Sequence, residues 1–138
     1  MYFKVTFPAL IGFVLFSINS FSQEICDTIF TSGQVEEIAE FPISPNKFNQ
    51  FLEKKIIPLI NEEVEKTKNI IPHLNMLFTI SKEGKLIKVE FPKLDSSKEL
   101  QEKMAKEFIN LGKWTPATIK GEKVCSEFFY KIGCIKWQ

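Results

Sequence analysis

The residues able to do covalent or metal chemistry are few and scattered: one histidine, His73, and three cysteines, Cys26, Cys125 and Cys134. A metal centre needs several His, Cys or carboxylate ligands at compatible spacing, and this set does not supply them. A Ser-His-Asp or Cys-His nucleophilic site fails on the same ground, because the lone histidine lies outside any motif. The acid pairs Glu36-Glu37 and Glu62-Glu63 are sequence neighbours, so they point to different sides and read as water-facing, not as a converging glycosidase pair. The glycines are isolated and form no phosphate-cradling loop. No catalytic residue, metal or cofactor is assigned.

The cysteines leave disulfide chemistry. Cys125 and Cys134 lie nine positions apart on what reads as one strand, a separation of roughly 30 Å at about 3.3 Å per residue. A bridge needs Cα atoms within about 7 Å. Any bridge within the chain therefore uses Cys26, with either Cys125 or Cys134. Three free thiols are the other outcome, and the odd count leaves at least one cysteine unpaired.

The compartment is read from the N-terminus. Lys4 gives a positive flank, Val5 to Phe16 is mostly apolar, and Ser20-Phe21-Ser22 places small residues before a cleavage point. That layout predicts a cleaved signal peptide over residues 1–22 and a periplasmic or secreted product in which thiols can oxidise. The alternative is an inner-membrane anchor through residues 5–22, although the apolar run is short of the about 20 residues a span requires. All 18 basic residues are lysines, against 17 acids. With no arginine and charges in balance, nucleic acid is not an expected partner.

The positioning elements follow from periodicity. Residues 23–43 carry no helical period and read as an extended N-terminal segment, with a turn at Ser32-Gly33. Ser44 can cap a helix that has Pro45 at its first position. Phe48, Phe51, Leu52 and Ile56 mark its apolar face, and Pro58 is expected to end or kink it near Ile57. A second helical piece runs to about Thr67. Leu74, Met76, Phe78 and Ile80 alternate as a half-buried strand. Lys82 to Lys85 turns it into a second strand lined by Ile87, Val89 and Phe91. Ser96 and Glu99 suggest a capping box for a helix with Leu100, Met104, Phe108 and Leu111 on one face, ended by Gly112. Trp114 then folds back over the core, Pro116 prevents the helix from resuming, and Gly121 turns the chain into a long last strand from Val124. These elements predict an α+β domain over 44–138, a three-stranded antiparallel sheet with two to three helices on one face.

With this order in place, the motifs resemble the C-terminal domain of TonB, the periplasmic energy-transducing protein, in the form common in Bacteroidetes. The resemblance is carried by VEEIAEFP at 35–42, FNQFLEKKI at 48–56, LFTISKEGKLIKV at 77–89 and KWTPATIKGEKV at 113–124, with the apolar strand after it. Ile43 and Ser44 stand where the family often has two glycines, and Ile57-Pro58 where it has Tyr-Pro. A transducing TonB has an anchor bearing a histidine and a long Pro-rich spacer. Here residues 23–40 contain no proline and span at most roughly 60 Å. The expectation is a stand-alone, exported TonB-like domain.

The resemblance implies a site as well as a fold. In the family the last strand lies at a sheet edge and accepts an extended segment of an outer-membrane receptor. Strand addition of this kind uses unpaired backbone groups for affinity and side-chain positions for specificity. Val124, Ser126, Glu127, Phe129 and Lys131 are the candidate partner-binding residues, while Trp114, Pro116 and Gly121 are assigned structural roles. The implied partner is a cell-envelope protein such as a TonB-dependent receptor, linking the domain to outer-membrane transport. The alternative is a structural or accessory protein whose last strand is covered by segment 26–41, packing over Phe129, Ile135 and Trp137, or by a second copy in a homodimer.

Overall fold

The computed structural model describes residues 26–133. The expected signal segment, Cys134, Ile135 and Trp137 lie outside the described residues. Helical elements are α1 (Pro45–Phe51), a π-helical turn (Leu52–Ile56), α2 (Ile57–Thr67) and α3 (Lys98–Ile109). Strands are β1 (His73–Ile80), β2 (Leu86–Glu90), β3 (Ala117–Ile119), β4 (Glu122–Val124) and β5 (Ser126–Gly133). The architecture is α+β. A three-stranded antiparallel sheet has the order β2-β1-β5, and β3 and β4 form a separate hairpin. Among the described residues no helix is long and apolar enough to cross a membrane.

Strand β1 is the centre, and its alternation works as the sequence predicts. Leu74, Met76, Phe78 and Ile80 are all fully buried and share one cluster with Phe48, Ile56, Ile60, Leu100, Met104 and Phe108 of the helices. Strand β2 departs from expectation. A register shift between Thr79 and Ile80 pairs Ile80 with Leu86 and Thr79 with Lys88. An extra residue of this kind re-aims side chains. Leu86 is therefore buried and Ile87, expected in the core, is 40% exposed.

Pro58 does not end the helix. Chain from Pro45 to Thr67 runs on without a break because the turn before the proline is π-helical. The Ile57 amide donates to the Leu52 carbonyl, five residues back. Widening the turn relieves the clash a proline ring makes with the preceding turn of an α-helix. The capping box is also rebuilt. Ser97, not Ser96, caps α3, accepting from the Leu100 amide at 3.1 Å. Its hydroxyl donates to the Glu63 carboxylate at 2.6 Å. The acid opposite the cap thus comes from α2, and Glu99 pairs with Lys103 at 2.9 Å instead.

Trp114 is 1% exposed and closes the core beside Phe78 and Phe41. Its amide donates to the Gly84 carbonyl at 2.8 Å. Gly84 has φ +86°, and a Cβ there would collide with the Trp114 carbonyl. The tryptophan corner and the β1–β2 turn are thereby locked together.

Candidate functional site

The long last strand of the sequence reading is two strands. Val124 belongs to β4, paired with Ala117, and Lys120-Gly121 form the two-residue turn of that hairpin with positive φ at both positions. Such a turn matches the twist of a hairpin, so Gly121 does make a turn, but into β4. Cys125 then breaks the run. It is 8% exposed and disulfide-bonded to Cys26, with Cα atoms 5.9 Å apart. Of the outcomes left open by the sequence, Cys26 with Cys125 is the one realised.

Strand β5 pairs with β1 along its whole length, Ser126 opposite Ile80 through Gly133 opposite His73. It lies at the sheet margin. Successive backbone units of a strand aim alternately to its two sides. Two bonds fix which are which. Phe30 donates to the Cys125 carbonyl at 3.0 Å, and Glu127 donates to the Phe30 carbonyl at 2.8 Å. Residues 125 and 127 therefore face away from β1, and by alternation so do Phe129, Lys131 and Gly133. Among the described residues, no backbone group pairs with the outward amides of Phe129 and Lys131.

The candidate residues thus divide. Ser126 is buried at the head of β5 and bridged by Phe30, so it is not on the free margin. The Glu127 amide is taken by Phe30. Phe129 is 53% exposed, opposite Leu77 on the sheet face away from the helices, and Lys131 is exposed opposite Asn75. Segment 26–41 does not bury Phe129. It covers the head of β5 through Phe30 and then runs along β3, where Glu37 and Thr118 exchange bonds, and past the residues before it, where Glu40 and Thr115 do the same. Of the structural assignments, Trp114 is the core plug expected, and Pro116 sits half-buried immediately before β3.

Two residues missed by sequence reasoning, Phe41 and Tyr130, join Phe128 on the other side of the same margin. Phe128 and Tyr130 face inward, and Phe41 from the N-terminal segment meets both edge-on, with centroids at 5.2 and 5.6 Å. Phe41 also packs on Phe48 at 4.2 Å and Trp114 at 4.5 Å. Together with Ile38, Ile43 and Phe48 these rings line an apolar groove of about 680 Å³ beside the open half of β5. The available signal was the EFP motif ending at Pro42, which places an aromatic next to a helix start.

Electrostatics at the other margin differ. The Lys88 ammonium is held above its ordinary value by its hydrogen bond to Glu90 and by that carboxylate's charge, with Glu127 adding across the sheet face. The pair closes at 2.8 Å. His73 is exposed at the start of β1. Among the described residues no three His, Cys, Asp or Glu side chains gather as a metal site would require.

Compared with known proteins, the chain matches no protein-family model, no curated protein and no solved structure.

Proposed function

We propose that this chain is an exported, non-enzymatic binding domain of the TonB C-terminal kind, which engages a cell-envelope protein by adding an extended segment of that partner to β5. The observation that carries this reading is the margin from Phe129 to Gly133, unpaired among the described residues and flanked by the groove of Phe41, Phe128 and Tyr130. An added strand gains main-chain bonds from Phe129 and Lys131, and its alternate side chains reach the groove. Two features support the compartment and the family: a disulfide at Cys26–Cys125, which persists in oxidising surroundings, and the ordered motifs from VEEIAEFP to KWTPATIKGEKV. A TonB-dependent receptor is the partner this reading points to, and a role in outer-membrane transport follows from it.

The test is photo-crosslinking in cells from a benzophenone side chain at position 129, with position 88 on the opposite margin as control. A discrete adduct from 129 and none from 88 is expected. Adducts from neither, or equally from both, would remove the basis for edge pairing. A second reading has one observation in its favour: Phe30 already occupies the head of β5, as in an accessory protein whose edge is self-covered. That reading predicts a monomer in light scattering with no adduct from 129.

A further inference from the structure

The N-terminal strap does more than close a loop. It takes up two outward-facing groups at the head of β5, the carbonyl of Cys125 just before the strand and the Glu127 amide within it, using the single residue Phe30. On one side of Phe30 the strap is held by the Cys26–Cys125 bond, with Asp27, Thr28 and Ile29 exposed between. On the other side it turns at Thr31–Gln34, then is anchored independently on β3 by Glu36 and Glu37 and on Thr115 by Glu40. Phe41 anchors it further in the core. With the disulfide cut, residues 26–34 would be held to the strand by the two Phe30 bonds alone, whereas 36–41 keep their own anchors.

We infer that Cys26–Cys125 is a redox-controlled pin on an edge guard: oxidised, it limits the binding margin to Phe129–Gly133, and reduced, it extends that margin to Cys125. This rests on the edge-pairing reading above for its functional consequence, but the release of the guard does not. The reductant is a dithiol. One of its thiolates attacks the Sγ of half-buried Cys26, since Cys125 is 8% exposed. The Cys26–Cys125 bond breaks, and the Cys125 sulfur leaves as a thiolate and takes up a proton. The second thiol of the donor then displaces Cys26, which is released as a thiol, and the donor carries away the disulfide. Two electrons and two protons pass to the chain.

The experiment compares amide hydrogen exchange, residue by residue, in the oxidised chain, the chain reduced with dithiothreitol, and Cys26→Ser. In the oxidised chain Glu127 and Tyr130 are both protected, because Glu127 bonds to Phe30 and Tyr130 faces β1. In the reduced chain and in Cys26→Ser, Glu127 is expected to exchange at least roughly 100-fold faster than Tyr130, as a local opening would give. Glu127 tracking Tyr130 would overturn the guard, and so would loss of protection at both. For the functional half, the adduct from position 129 in cells is expected to rise severalfold in Cys26→Ser. An equal yield in both chains sinks the control of binding alone, whereas no adduct in either sinks the edge-pairing reading and leaves the exchange result to judge the guard.

Discussion

The sheet has two margins, and they are built in opposite ways. Strand β2 is short, its pairing to β1 is interrupted by a register shift, and Lys88 and Glu90 place a closed ion pair on it. Those are the devices by which proteins discourage another chain from pairing with an edge: brevity, a bulge and charge. Strand β5 has eight residues and an unbroken register with β1. It has an exposed aromatic at Phe129 and an apolar groove beside it. Among the described residues, covering is spent only at its head, where Phe30 bridges Ser126. Among the described residues the margin beyond Phe129 carries none of the devices that guard β2, and the proposed strand addition needs such a margin.

Experiments that break this contrast can be ranked by size. The largest effect is expected from Cys26→Ser, which opens a link between residues 99 apart. The chain-entropy relation puts the loss at up to about 4–5 kcal/mol, less whatever freedom residues 26–34 regain in the native state. Denaturant unfolding of oxidised and variant chains measures it, and an unchanged midpoint would contradict a bond that spans the fold. Next comes Gly84→Ala at the β1–β2 turn. A Cβ there meets the Trp114 carbonyl at positive φ, so a loss of roughly 2–4 kcal/mol is expected. A loss under about 0.5 kcal/mol, the range of an ordinary surface change, would mean the tryptophan corner is not locked to that turn.

Lys131→Pro sharpens the comparison because it separates binding from folding. The Lys131 amide faces away from β1, so proline there removes an edge donor without cutting the β1–β5 ladder. Stability is expected to fall by roughly 0.5–1 kcal/mol, while the crosslink from position 129 disappears. Retention of the adduct would show that the margin's main chain is not what the partner reads. Tyr130→Pro, one position earlier, cuts the ladder and is expected to destabilise the fold.

The smallest effect concerns the exposed Glu99–Lys103 pair on α3. The hydrogen bond from Lys103 and its charge hold the Glu99 carboxyl below its ordinary range, and the reverse holds the Lys103 ammonium above its own. A depressed acid contributes stability above its unfolded pKa and loses it as pH falls through the folded one. A raised lysine contributes below its unfolded value and loses it as pH rises through the folded one. Both partners are solvent-exposed, so screening leaves little for the pair to supply. Glu99→Gln is expected to leave unfolding at neutral pH unchanged and to flatten the acid limb slightly. A large loss at neutral pH would mean the pair has a role beyond the α3 surface.

Much of this was legible locally. The alternation of Leu74, Met76, Phe78 and Ile80 placed the central strand correctly, because one face of a half-buried strand must be apolar along its length. Ser44-Pro45 marked the start of α1, where the Ser44 hydroxyl accepts from Lys47. What escaped was decided at a distance. The acid serving the α3 cap lies on α2, so no window around Ser96 to Glu99 contains Glu63. The π turn before Pro58 is set by packing of Leu52 and Ile56 into the same core on either side of it. The division of the last strand at Cys125 follows from pairing with different partners, β4 with β3 and β5 with the distant β1. The groove escaped for the same reason, since Phe41 and Tyr130 meet only in the fold.

The central claim is that the outer margin of β5 beyond Phe129 stands open to another backbone. Residue-resolved amide exchange on the purified oxidised chain tests it most directly. Exchange of Phe129 and Lys131 close to the rate of an unstructured peptide, with Phe128 and Tyr130, which alternate with them, protected, is the predicted pattern. Protection of all four alike would show the margin already paired, by this chain or by a second copy, and would contradict the account.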